Sequence, residues 1–139
     1  MTAHGRGSRG QALVELAISV VLLVTLTMGI IEFGRAFMVA NVITHAAHEG
    51  GRAAAMTPAS ARNASGIIND TTPIQGLVRS DIQTVVDPSG LTIAVDQPTV
   101  AGIPLVRVQV NGTVPYIFNL LGTTGFTVAR TVTFRDEGR

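Results

Sequence analysis

A chain of 139 residues has room for one small folded domain beside a membrane-length helix, and little for a second fold. With 46% hydrophobic and 14% charged residues and a mean hydropathy of +0.40, it is too apolar for an ordinary soluble domain unless the apolar residues are gathered in one place. The net charge of +1, carried by scattered arginines, argues against a nucleic-acid partner, and the absence of cysteine excludes disulfides, thiolate nucleophiles and thiolate metal sites.

The apolar residues gather near the amino terminus. Leu16 to Ile31 carries no charge, and with Ala12, Leu13 and Val14 the run reaches about 20 positions, or about 30 Å of helix, the thickness of a bilayer core. His4, Arg6 and Arg9 precede it without an acid, so the positive-inside rule keeps the leader 1–10 cytoplasmic and exports the chain beyond the span 11–32. Ser19, Thr25 and Thr27 fit this environment because a helical hydroxyl can bond a carbonyl one turn back. A cleaved secretory signal is the competing reading. Its nearest small pair, Gly34 and Ala36, brackets Arg35 inside a continuing helical pattern, and the apolar run is long for a signal.

Glu15 lies within the apolar run, where a carboxylate costs about 2.5–3.5 kcal/mol at the centre of an inserted helix. Two readings stand. Either Glu15 sits near the interface and reaches back to water, or it belongs to a processing site. A cut after Gly10 makes Gln11 the new first residue and Glu15 the fifth, placing an ammonium and a carboxylate one helical turn apart. Ser8 with Gln11 also fits a capping box at the helix start.

Nothing stops the helix until Thr57-Pro58, so the spacing predicts one helix from about Gln11 to Met56, its part 33–57 lying outside the membrane. Phe33, Ala36, Ala40, Ile43, Ala47, Gly50 and Ala54 recur at steps of three and four as a packing stripe of mostly small residues, and Gly50-Gly51 marks a close contact or a bend. Arg35, Asn41, His45, His48, Glu49 and Arg52 fall opposite, with Glu49 in pairing range of His45 and Arg52. The order His45-Ala-Ala-His48-Glu49 does not match the zincin arrangement and lacks a third ligand, so no metal is expected.

The remainder, 58–139, reads as an exported α+β domain. Ala59 to Asp70 has weak helical character, Thr71-Thr72-Pro73 interrupts it, and Ile74 to Val86 forms an amphipathic helix through Ile74, Leu77, Val78, Ile82 and Val85. After the turn Asp87-Pro88-Ser89-Gly90 come three alternating runs: Leu91, Ile93 and Val95; Val106, Val108 and Val110; and Phe126, Val128, Val132 and Phe134. The expected fold is α+β and pilin-like, a long amino-terminal helix packed on an antiparallel sheet of about three strands. Between the last two strands, Tyr116, Ile117, Phe118, Leu120 and Leu121 form an apolar cluster, either plugging the core or contacting a partner. No catalytic constellation, phosphate loop or nucleophile elbow is present, so neither an enzyme nor a cofactor is expected.

Three elements taken together carry a family resemblance: Arg9-Gly10-Gln11-Ala12 with Val14-Glu15, Glu32-Phe33-Gly34-Arg35, and Ala46-Ala47-His48-Glu49-Gly50-Gly51-Arg52. The chain resembles the TadE/TadG-like pseudopilins of tight-adherence (Flp) pilus systems over about residues 9–55. The resemblance implies a structural subunit in the bacterial inner membrane, matured by a prepilin peptidase after Gly10, whose other partners are pilins or pseudopilins and the pilus assembly machinery. It also implies that Glu15 helps recognition or neutralises a neighbour's amino terminus, a pairing that fixes axial register because either charge left alone in low dielectric costs several kcal/mol. Major Flp pilins carry Glu-Tyr where this chain has Glu15-Leu16, which implies a minor pilin-like role. The alternative is an uncleaved single-pass adaptor supporting an envelope assembly.

Overall fold

The structure, a computed structural model, describes residues 7–118, 122 and 124–137. It contains helix α1 (Gly7–Ala55), helix α2 (Thr72–Gln83) and strands β1 (Leu91–Asp96), β2 (Thr99–Val100), β3 (Ile103–Pro115) and β4 (Gly125–Arg135). Contacts divide the chain into two units, one ending at Arg35 and the other running Ala36–Arg139. Residues 1–6 of the expected leader lie outside the described residues, and α1 takes in Gly7 to Gly10 as well as the expected span.

In the first unit α1 is a lone helix. It has no proline and a continuous supply of Ala, Leu, Val and Ile, and Thr25 and Thr27 donate their hydroxyls to the carbonyls of Val21 and Leu23, each at 2.8 Å. The helix terminates in the second unit. Ala55 is its last residue, Thr57 precedes Pro58 and is pushed from the α region, and Arg52 in the last turn faces the negative end of the helix dipole.

The second unit packs α1 and α2 on one face of a four-stranded antiparallel sheet. β3 is its centre, flanked by β1 (Val95 opposite Val108) and β4 (Val108 opposite Val132), while β2 folds back on the start of β3. The core joins Val39, Ile43, Ala46 and Ala47 of α1 to Val78 and Ile82 of α2 and to Val108, Val110 and Val128 of the sheet. Alternation places these valines on one face and leaves Asn111, Thr127, Thr131 and Thr133 exposed on the other.

Gly50 and Gly51 are where the helix comes closest to its neighbours. A Cβ on Gly50 would lie 2.2 Å from Val78 Cγ2, and one on Gly51 would lie 2.6 Å from the Phe134 ring. The expected close contact is therefore real, and α2 and β4 supply its other side.

The expected sheet of about three strands is present with one short addition, and two local expectations are corrected. The sheet gains β2, whose two-residue turn to β3 places Ala101 and Gly102 at φ 51° and 77°, the mirror-image turn that suits the strand twist. Ala59 to Asp70 is not helical beyond one turn at Ala59–Ala61, because Arg62 bridges back to Ile68 and the Asn63 carboxamide accepts from Ser65 N and Ile67 N. Pro73 does not interrupt ahead of α2. It sits in the first turn of that helix, where its missing N–H has no partner to lose, and Asp70 accepts from Thr72 N at 2.8 Å just before it.

Candidate functional site

The first unit carries the expected processing-site residues Gly10, Gln11 and Glu15. Gln11, Val14, Glu15, Ile18 and Ser19 share one surface of α1, as spacings of three and four require. Gly10, Gln11 and Glu15 are exposed, and a Cβ at Gly10 would meet nothing within 4 Å. Among the described residues Glu15 makes no hydrogen bond or ion pair. Around it the aliphatic side chains stand outward. Val21 is 67% exposed, and the most apolar stretch of the helix, with a mean hydropathy of 2.4, has none of its length buried. That length and composition suffice to cross a membrane. Further along, Arg35 Nη1 bonds Glu32 Oε1 at 3.3 Å.

The packing stripe divides. Ile43, Ala47, Gly50 and Ala54 are buried, Ala36 and Ala40 are half-buried, and Phe33 is 76% exposed. Val39 and Ala46 share the buried face, which follows the true helical period and takes in a valine that a search for small residues passes over. On the opposite side His45, Glu49 and Arg52 are exposed and form no ion pairs with one another, while His48 meets Phe134 edge-on at 5.9 Å between centroids. Among the described residues no three His, Asp or Glu side chains converge.

In the β3–β4 connection, Tyr116 leans on Phe126 with 5.9 Å between centroids, Phe118 is half-buried and Ile117 is 58% exposed. Leu120 and Leu121 lie outside the described residues.

Sequence reasoning missed a buried polar knot. Arg62 Nη1 bonds Asp136 Oδ2 at 2.7 Å, with the two side chains only 2% and 0% exposed. The guanidinium also donates to the carbonyls of Thr57, Gly66 and Ala54. Gln97 completes the knot, donating to Asp136 at 3.0 Å and accepting from Ile68 N at 2.7 Å. The end of α1, the 62–68 loop, the β1–β2 connection and the segment after β4 are thus joined, and among the described residues every buried side-chain nitrogen and oxygen has a partner. No local pattern signals this, since Arg62 and Asp136 are 74 positions apart. Arg107 and Asp96, opposite each other on β3 and β1, form a second pair, with Nε 2.9 Å from Oδ1. The hydrogen bond from Arg107 holds the Asp96 carboxyl below its ordinary value, and the same bond raises Arg107.

The described fold and site define an α+β protein whose amino-terminal helix is long and apolar enough to span a membrane. Residues 10–52 match the family model for TadE-like protein, so the segment that includes Gly10, Glu15 and the Gly50-Gly51 contact is TadE-like, in agreement with the resemblance read from its motifs. No curated protein and no solved structure matches the chain. The match covers 43 of the 139 residues, all of them in the long amino-terminal helix.

Proposed function

We propose that the chain is a minor pilin- or pseudopilin-like structural subunit of a tight-adherence pilus or related secretion assembly. Residues 11–32 anchor it in the inner membrane with the amino terminus in the cytoplasm, and a prepilin peptidase cuts after Gly10. The supporting observation is an exposed apolar helix, matched to the TadE-like family, that carries an unpaired carboxylate five positions past an exposed glycine. Removing residues 1–10 takes away Arg6 and Arg9 and no acid, so the formal charge passes from +1 to −1 (8 basic against 9 acidic side chains). The shortened helix then presents an ammonium and Glu15 on one surface for pairing with a neighbouring helix. The role is structural and needs no cofactor.

The test exploits composition. All ten basic side chains are arginine, so the α-amine is the chain's sole primary amine, and an amine-selective tag followed by mass spectrometry reads the amino terminus directly. Coexpression with the peptidase is expected to yield a product beginning at Gln11, and Gly10→Ala to block it. An intact terminus beside active peptidase overturns maturation. One observation favours the second reading, the uncleaved adaptor: α1 begins at Gly7, so the Gly10-Gln11 bond lies inside helix that a protease must first unwind.

A further inference from the structure

β4 is an edge strand with an unusual interruption. It pairs with β3 from Gly125 to Arg135, and among the described residues no backbone hydrogen bond leaves its other side. Such an edge presents a row of free N–H and C=O groups to any incoming strand. Its composition favours that event. Phe126, Thr127, Val128, Thr131, Val132, Thr133 and Phe134 are all β-branched or aromatic, and the strand has no proline.

Alternation turns Phe126, Val128, Arg130, Val132 and Phe134 toward the helix side of the sheet, which puts a guanidinium in an apolar row. Arg130 stands opposite the fully buried Val110 yet is itself exposed at the rim. Its Nε donates to Thr44 Oγ1 at 3.1 Å and its Nη1 to the Ala129 carbonyl at 3.2 Å. Both acceptors are neutral, and among the described residues no carboxylate reaches it. The charge is therefore positioned by α1 and by its own strand without being neutralised.

We infer that the β4 edge is a docking strand for an extended segment of another protein, one that carries a carboxylate at the position facing Arg130. A second copy of β4 is a poor occupant: Gly125–Arg135 contains no acid, so every register brings Arg130 against a neutral side chain or another arginine. An acidic strand instead supplies main-chain hydrogen bonds along the edge and a paired contact with the planar guanidinium, the combination that gives strand addition its affinity and its register. Arg130 is thus the specificity residue of the edge. The inference is independent of how the amino terminus is processed.

The probes are fluorescent peptides Thr-Val-Thr-X-Thr-Val-Thr, with X as Glu, Gln or Lys, titrated against the full chain in detergent micelles. The Glu peptide is expected to bind about tenfold or more tighter than the Lys peptide and to slow amide exchange within residues 126–134. Arg130→Ser should bring the three peptides within about twofold of one another, while Arg130→Lys, which keeps the charge, should retain an acidic preference. Equal binding of all three peptides to the wild type, no binding at all, protection confined to other segments, or self-association of the wild type through β4 overturns the inference.

Discussion

Val21 and Val39 lie on the same helix and meet opposite fates: the first is 67% exposed, the second fully buried. The difference lies in their company. Val39 and Ile43 are covered by α2 and the sheet of their own unit, whereas the run from Leu13 to Ile31 has no covering element within its unit. Hydrophobicity therefore states a demand for cover without saying what meets it. In the second unit the chain meets the demand itself; in the first, an aliphatic surface of this size calls for an apolar solvent or neighbouring helices.

The comparison breaks most sharply when charge is moved in opposite directions. Arg62→Ala, which strands Asp136 in the interior, is expected to cost about 3–5 kcal/mol and to unfold the second unit, read as a fall in denaturant midpoint. Leu22→Arg, placed in the first unit, should leave that midpoint unchanged and weaken membrane partition by about 2.5–3.5 kcal/mol, measured by flotation with vesicles. Equal unfolding by both substitutions would erase the distinction between the units. A smaller effect separates glycines. Gly50→Ala gains about 1 kcal/mol of helix propensity but drives a methyl into buried Val78, an overpacking cost of about 1–3 kcal/mol, so a net loss is expected. Gly29→Ala faces open space and should raise helicity without loss, both changes being read by circular dichroism during thermal melting.

The smallest effect concerns acid. Because the folded Asp96 carboxyl titrates below its ordinary value of 3.8, its contribution is complete above that value and is lost as pH falls through the lower folded one. Both partners are half-exposed, so solvent screening keeps the contribution small. Asp96→Asn should flatten the part of the melting curve against pH that lies below the ordinary carboxyl value of 3.8, while leaving the acid limb set by other carboxylates.

Elements with a strong local period are legible in the sequence alone. The proline after Thr57 marks the end of α1, Ile74, Val78 and Ile82 mark the buried face of α2, and alternation marks β1, β3 and β4. Gly50-Gly51 announces a close approach because two poor helix formers in a helix need a packing reason. The features that escape have little or no local signature. β2 is two residues long, and Arg62 looks like any solvated loop arginine until Asp136 and Gln97 close over it. Arg130 breaks the alternation of β4, and reading past it hides the residue that distinguishes that edge. In the candidate site, Gly10 and Glu15 are visible as a motif, while the continuation of helix through the Gly10-Gln11 bond is not.

The Arg62 knot also sets an order of events during synthesis. When residues 54–68 have emerged, their guanidinium has carbonyls to hold but lacks its counter-charge, which arrives only with residue 136. The interior around Arg62 is therefore neutralised only when segments 74 positions apart meet, so its closure rests on a contact that neither end of the second unit supplies alone.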